Sequence, residues 1–268
     1  MSLMLKLLAI SLFLSSVIAA NTNKEVEDFL KESFSNNPAI VDLEVKVSER
    51  IEIPTMKGWE GLIVNVDAVV KAKMIWFTNG EVITKDLTNM KTGESLKGLI
   101  SPSFKKEYYK KENLISGNSN SKHKVAIFSD PLCPYCIMFV PKAMNEMKKQ
   151  PNKFAVYYYH FPLQNLHPAA VELSQAAIAA ELQGQKNVIL DMYKVKIDSK
   201  ERNVVKILDA FNKTMKTNIK PSDLKSREVM QHFENDLKIA NDLMVQGTPT
   251  MFFDGKLDKS KRKWEKVK

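Results

Sequence analysis

The only two cysteines of this 268-residue chain lie in one short motif, Cys133-Pro134-Tyr135-Cys136. Disulfide exchange needs an exposed thiolate that attacks a disulfide and a nearby thiol that resolves the mixed disulfide. A pair separated by two residues supplies both groups. We therefore predict that Cys133 is the nucleophile and that Cys136, one helical turn further on, is the resolving thiol.

A structural disulfide and a zinc site are the other uses of such a pair. In the chain-entropy model, closing so short a loop contributes about 2 kcal/mol, against about 3 kcal/mol for a 15-residue loop. A pair that served stability would be spaced further apart. Zinc would also need His160 and His167, whose spacing differs from that of zinc fingers. The motif favours redox chemistry and indicates neither a metal nor another cofactor.

The residues around the motif predict a strand, a turn and a helix. The apolar run Val125–Phe128 is typical of a buried strand, and Pro134 is favoured at the first position of a helix. Cys133 would then lie at the helix N-terminus, where unpaired N–H groups stabilise a thiolate. Pro134 and Tyr135 would set the donors available to that thiolate, and hence its redox poise.

Two polar residues near the motif each have two interpretations. Asp130 could relay a proton to or from the buried thiol, or it could form the turn before Pro131. His160 could influence the active site from the end of a strand, or it could be a structural histidine. Both alternatives stay open for each residue.

The rest of the second half predicts an α/β domain with a helical insertion. Phe154–Phe161 is rich in Tyr and Val and predicts a second strand, and Thr250–Phe253 predicts a third. Between them, residues from about 166 to 245 are helical in character, including the alanine-rich run Ala169–Leu182. This domain is predicted to span residues 123–268.

The first half predicts a small, largely antiparallel α+β unit over residues 21–100. A helical spacing of apolar residues covers Val26–Phe34, and apolar residues alternate with polar ones over residues 41–48. Asn79-Gly80 lies between two apolar runs and predicts a tight hairpin turn. Residues 101–122 would form a helical linker and hinge, because Ser101-Pro102 suits a helix start and a polar stretch follows.

The first twenty residues have the order of a secretion signal: Lys6, an apolar run from Leu7 to Val17, then Ala19 and Ala20. They predict export and a location in the periplasm. The net charge of +9 comes from 40 Lys and Arg against 31 Asp and Glu. It is densest in the tail 256–268, which we interpret as a solvated surface rather than a nucleic-acid site.

Three separated features make the chain similar to the thioredoxin superfamily, most closely to its DsbC/DsbG branch of periplasmic disulfide isomerases. The first is the segment from Phe128 to Cys136, with Pro141 five residues after the second cysteine. The second is His160-Phe161-Pro162-Leu163, followed by His167-Pro168. The third is the segment 245–250, Val-Gln-Gly-Thr-Pro-Thr, which resembles the cis-proline loop of that superfamily.

The resemblance implies that Thr248 offers backbone groups to an extended substrate and that Pro249 packs against the disulfide and keeps metals away. Residues 54–61 and 77–94 also resemble the cystatin-like dimerisation domain of that branch, which implies a homodimer. The implied partners are unfolded or misoxidised exported proteins and a membrane thiol reductase. The chain lacks the cysteines of the additional structural disulfide found in the best-known isomerase of the branch.

Three functions remain open at this point. The expected one is a disulfide isomerase or reductase, with chaperone activity as a further property. The first alternative is a DsbA-like dithiol oxidase, recharged by a quinone-linked oxidase. The second is a chaperone that binds clients without redox chemistry.

Overall fold

The computed structural model describes residues 22–35, 43–67 and 72–267. The chain divides between Ile100 and Ser101 into two compact units. The predicted signal peptide lies outside the described residues, as do positions 41 and 42 of the predicted first strand. Within the described ranges, none of the helices has the length and hydropathy needed to cross a bilayer.

In its described residues, the first unit has an α-helix and a four-stranded antiparallel sheet in the order β1-β2-β3-β4. Its elements are α1 (Asn23–Ser35), β1 (Glu44–Glu52), β2 (Glu60–Asp67), β3 (Ala72–Thr78) and β4 (Ile83–Thr84).

One face of this sheet packs against α1. Val26 and Leu30, one helical turn apart, are buried against apolar side chains of three strands, among them Val45, Leu62 and Trp76. The alternation in β1 explains this one-sided burial, because successive side chains of a strand point to opposite faces. The predicted helix and the one-sided strand are therefore both present.

The predicted hairpin is present, but its turn is longer than expected. Phe77 pairs with Thr84 and Thr78 with Ile83, so four residues rather than two connect β3 and β4. The Asn79 side chain accepts hydrogen bonds from the N–H groups of Glu81 and Val82. A side chain that bonds to its own loop in this way competes with the two-residue turn.

The second unit has a five-stranded mixed sheet in the order β5-β7-β6-β8-β9, in which only β6 and β7 are parallel. Its strands are β5 (Leu114–Ser116), β6 (His123–Ser129), β7 (Phe154–His160), β8 (Thr250–Phe253) and β9 (Lys256–Leu257). Its helices are α2 (Pro134–Lys148), α3 (Ala169–Leu182), α4 (Val188–Met192), α5 (Val204–Met215), α6 (Arg227–Asp242) and α7 (Lys263–Lys266). Helices α3 to α6 lie between β7 and β8, in the range predicted for the insertion.

The prediction of a helical linker over residues 101–122 is wrong. This segment contains short 3-10 turns and then β5, which pairs with β7. Phe104 is buried in the core of the second unit, and its N–H donates to the Gly255 carbonyl. The aromatic residues of this segment pack against the sheet, because burying their large apolar area stabilises more than local helix propensity does.

Alternate residues of the central strands β6 and β7 face two separate cores. Val125 and Ile127 of β6 and Tyr158 of β7 belong to one core, which includes the helical insertion. Phe128 and Tyr159 belong to the other core. Every residue of β7 is buried, so each side chain of this strand packs into one of the two cores.

A substitution at Gly117 tests the close packing of this sheet. We expect Gly117→Ala to lower the free energy of unfolding by about 1 to 3 kcal/mol more than Gly184→Ala does. Both glycines have positive φ, but a methyl group at Gly117 would overlap the Phe154 carbonyl, whereas one at Gly184 meets nothing within 4 Å. Denaturant unfolding of the two variants measures the difference. Equal losses would contradict the packing described for residue 117.

Candidate functional site

The cysteine motif lies where β6 ends and α2 begins. Cys133 is the N-cap residue of α2, with φ −70° and ψ 122°, and Pro134 occupies the first helical turn. The Cys133 side chain makes no capping hydrogen bond, which leaves its sulfur free to face another partner. The predicted position of the nucleophile at a helix N-terminus is therefore present.

The segment predicted as a cis-proline loop faces the cysteines. The peptide bond between Thr248 and Pro249 is cis, and the Cys133 sulfur lies 3.6 Å from the Thr248 carbonyl oxygen. Pro249 is itself buried. Cys133 and Thr248 are 115 positions apart in the sequence. The fold therefore brings together two motifs that could only be recognised separately in the sequence.

The two cysteines are more enclosed than expected. Cys133 is only 4% exposed, in place of the exposed thiol that the sequence predicted, because it lies against the Thr248 carbonyl. Cys136 is fully buried, whereas Tyr135 between them is 70% exposed. The structure assigns no contact to the Tyr135 side chain that reaches either sulfur, so the tuning role of Pro134 and Tyr135 stays a prediction.

Asp130 connects the cysteine motif to the segment after β7. One of its carboxylate oxygens accepts hydrogen bonds from the N–H groups of Leu132 (2.7 Å) and Cys133 (3.1 Å). The other accepts from the Leu163 N–H (2.8 Å) and contacts His167 Nδ1 (2.9 Å). The carboxylate is completely buried, and buried carboxylates are stable only when paired in this way.

This arrangement accounts for Asp130 as a turn-forming and positioning residue. Both of its oxygens are occupied by the turn, by Leu163 and by His167, and it is its main chain that lowers the pKa of Cys136. His167 and the Leu163 N–H were not predicted as site residues. The sequence did contain a signal for these two residues, namely the histidines and prolines after the second strand. It did not indicate that they contact Asp130.

Burial raises the pKa of the Cys136 thiol to about 12. The polar groups of the Ser129 and Thr248 side chains and of the Asp130 main chain lower this pKa, and the charge of Cys133 raises it further. Cys136 is therefore a thiol at neutral pH. Its surroundings also identify Ser129 as a site residue that the sequence did not predict, since a serine at a strand end carries no specific signal.

His160 is part of a separate buried cluster. Its main-chain N–H donates to Asp236 of α6 (2.8 Å), and its ring packs edge to face on Tyr158 and His232. Burial, followed by the nearby His232, holds the pKa of His160 well below its usual value. Because His167 contacts Asp130 instead, the two histidines belong to different networks. Across residues 22–35, 43–67 and 72–267, no cluster of His, Cys, Asp and Glu is suited to a metal ion.

The mixed sheet, the cysteine pair at a helix N-terminus and the facing cis-proline loop together define a thioredoxin-like protein. A family model described as thioredoxin matches residues 110–268, more than half of the chain, and the chain belongs to that family.

A curated relative is the Na(+)/H(+) antiporter NhaA 1 of Mycolicibacterium gilvum (strain PYR-GCK), which is 24% identical over 144 residues. The match covers 53% of this chain and 23% of the antiporter. The chain thus spans about a quarter of the length of this curated relative.

Several solved structures are similar at 16 to 22% identity. The thiol-disulfide exchange protein alpha-DsbA2 from Wolbachia pipientis is 21% identical, with a TM-score of 0.46, over 57% of this chain and 82% of that one. BdbD from Bacillus subtilis is 16% identical, with a TM-score of 0.47, over 62% and 92%. The catalytic domain of Proteus mirabilis ScsC is 21% identical, with a TM-score of 0.44, over 57% and 86%.

The role of Asp130 in stability can be measured with a matched pair of substitutions. We expect Asp130→Asn to lower the free energy of unfolding by about 3 kcal/mol, because an amide has one acceptor oxygen where the buried carboxylate has two, which leaves buried donors unpaired. Asp254→Asn is the control: Asp254 also contacts a histidine, His123, and a main-chain N–H, but its side chain is 44% exposed. The control should lose less than about 1 kcal/mol. Similar losses in the two variants would show that burial does not strengthen the Asp130 pairing.

The burial of Cys136 predicts selective alkylation of the reduced protein. A pKa of about 12 keeps Cys136 protonated until the pH approaches 12, and only the thiolate reacts. We expect iodoacetamide at pH 8 to add one group, on Cys133, and to add a second only after unfolding. Peptide mass spectrometry assigns the sites. Rapid labelling of Cys136 in the folded protein would contradict its burial.

Proposed function

We propose that the protein is a thiol-disulfide oxidoreductase that acts as an isomerase or reductase on exported proteins in the periplasm. The observation that carries this proposal is the pairing of two unlike thiols. Cys133 lies at the N-terminus of α2 beside the Thr248 carbonyl, and Cys136 lies buried one turn further into the same helix. Cys133 keeps a small exposed fraction of 4% and Cys136 keeps none, so Cys133 is the sulfur that a client disulfide would meet.

The reaction follows from this arrangement. The Cys133 thiolate attacks one sulfur of a client disulfide, a bond forms between them, and the other client sulfur leaves as a thiolate. A client thiolate can then attack the mixed disulfide, which rearranges the client bonds and restores Cys133. Alternatively Cys136 attacks the Cys133 sulfur, the second client sulfur leaves, and the two electrons pass from the protein to the client.

Three other parts of the proposal rest on the family resemblance. Main-chain groups of Thr248 would pair with an extended client segment, which is a form of strand addition. Residues 21–100 would form a homodimer, and a membrane thiol reductase would keep the cysteine pair reduced. The likeness to a dimerisation domain is the reason for preferring an isomerase to a DsbA-like oxidase, which would use the same thiols with the electrons flowing in reverse.

The proposal is tested by trapping the mixed disulfide. Cys136→Ser should accumulate a covalent complex with a peptide disulfide, because the resolving thiol is missing, whereas Cys133→Ser should form none. Non-reducing electrophoresis detects the complex. Complexes in neither variant would overturn the assignment of a redox function, and undiminished rescue of clients by Cys133→Ala would point to a binding-only chaperone.

The direction of electron flow is read from cells. We expect acid quenching followed by alkylation to show the cysteine pair mostly reduced, as an isomerase or reductase requires. A pair that is mostly oxidised would favour the oxidase instead, since that enzyme must hold a disulfide to donate.

A further inference from the structure

A pocket of about 200 Å³ lies at the end of α2 that is distant from the cysteines. Residues of α2, α3, α4, β5 and β7 line it, and the cysteines and the loop 245–250 are not among them. Its first α2 residue, Met144, lies about 16 Å along the helix axis from Cys133. The pocket is therefore separate from the cysteine site.

Most of the residues that line this pocket are apolar. Met144 comes from α2, Val156 from β7, and Val188 and Ile189 from α4, and all four are buried. An apolar cavity of about 150 Å³ can hold one molecule of benzene. The volume of this pocket therefore suits a ligand whose apolar part is of similar size.

The polar part of the lining carries more negative than positive charge. Glu112 and Glu181 contribute two carboxylates, and Lys148 contributes one ammonium group. Lys148 Nζ donates a hydrogen bond to the Asn187 side chain at 2.8 Å. Within the part of the chain that the structure describes, the Glu181 carboxylate has neither an ion-pair nor a hydrogen-bond partner. The pocket is thus complementary to a positively charged ligand.

The position of Glu181 favours a cation beside it for two reasons. Burial raises the pKa of Glu181 to about 7, because a carboxylate that is removed from water without a partner is costly. Glu181 also lies in the last turn of α3, which contains no basic residue, and the C-terminus of a helix favours positive charge. A ligand cation would satisfy both the carboxylate and the helix end.

We propose that this pocket binds a small organic ammonium ion, in which a protonated amine is attached to an apolar group of about six carbon atoms. The ammonium group pairs with Glu181, and Glu112 adds a second carboxylate. All three residues of β5 also line the pocket, and β5 is the terminal strand of its sheet. The inference is independent of the proposed redox function.

Binding of the ammonium ion should depend on the protonation of Glu181. An alkylamine stays protonated between pH 6 and pH 8, whereas Glu181 loses its proton over this range. The affinity should therefore rise about tenfold from pH 6 to pH 8. The other titratable groups near Glu181 are Glu112, Lys148 and Asp236. Burial lowers the pKa of His232, which lies near Glu112.

The test uses benzylamine as the probe and benzyl alcohol as a neutral molecule of the same shape. Two-dimensional NMR spectra of the main-chain N–H groups follow residues 114–116 and 187–190 during each titration. We expect benzylamine at pH 8 to shift these signals saturably, with a dissociation constant at or below about 1 mM. Benzyl alcohol should bind about tenfold more weakly, because it lacks the charge that pairs with Glu181.

A pair of glutamine substitutions assigns the charge to one residue. Glu181→Gln should weaken the binding of benzylamine about tenfold and remove its pH dependence. The matched control is Glu172→Gln, which removes the same charge from α3 about 13 Å closer to its N-terminus. Glu172 lines a different pocket, so the control should keep the dissociation constant within about twofold. If Glu181→Gln fails to fold, the two probes and the pH dependence in the unaltered protein carry the test.

Three outcomes would overturn the inference. Equal binding of benzylamine and benzyl alcohol would show an apolar pocket that does not recognise ammonium. Signals of residues 114–116 and 187–190 that stay unchanged up to about 10 mM benzylamine would show no site. Equal weakening in Glu181→Gln and Glu172→Gln would show a general effect of net charge. None of these results bears on Cys133 and Cys136, so the proposed function stands or fails on its own tests.

Discussion

The buried carboxylate of Asp130 is the interaction on which the cysteine site depends. A charge placed in the interior is costly unless hydrogen bonds satisfy it, and four groups from two parts of the chain do so here. The turn before Cys133 and the segment that follows β7 are thereby held against each other. The start of α2 follows directly from this turn, so the position of Cys133 is determined by a residue that bonds to its main chain.

The alternation of side chains along β6 and β7 explains how the aromatic residues near the site are placed. Because these strands are buried on both faces, each aromatic residue is committed to one core. Tyr158 therefore directs its hydroxyl towards Tyr193, whereas Tyr159 directs its own towards the Tyr108 carbonyl. Two neighbouring residues of the same type thus have unrelated surroundings.

Local patterns predicted most of the elements and both cysteine positions, since these depend on periodicity and on residues adjacent in sequence. The cis-proline loop was matched by resemblance, and the structure contains the cis bond. The prediction of a helical linker over residues 101–122 was wrong because Phe104 is buried against residues that are distant in the sequence. Local helix propensity does not describe such long-range packing. The contact of His167 with Asp130 was not predicted for the same reason, because the two residues are 37 positions apart in the sequence.

Ser129 and Asp130 are neighbours at the end of one strand, yet they serve different cysteines. Asp130 holds the turn of Cys133, and the Ser129 side chain lowers the pKa of Cys136. Substitutions at these two adjacent positions can therefore affect the two cysteines separately, without altering the residues between them. Two neighbouring residues at the end of one strand can thus vary the redox behaviour of a single fold.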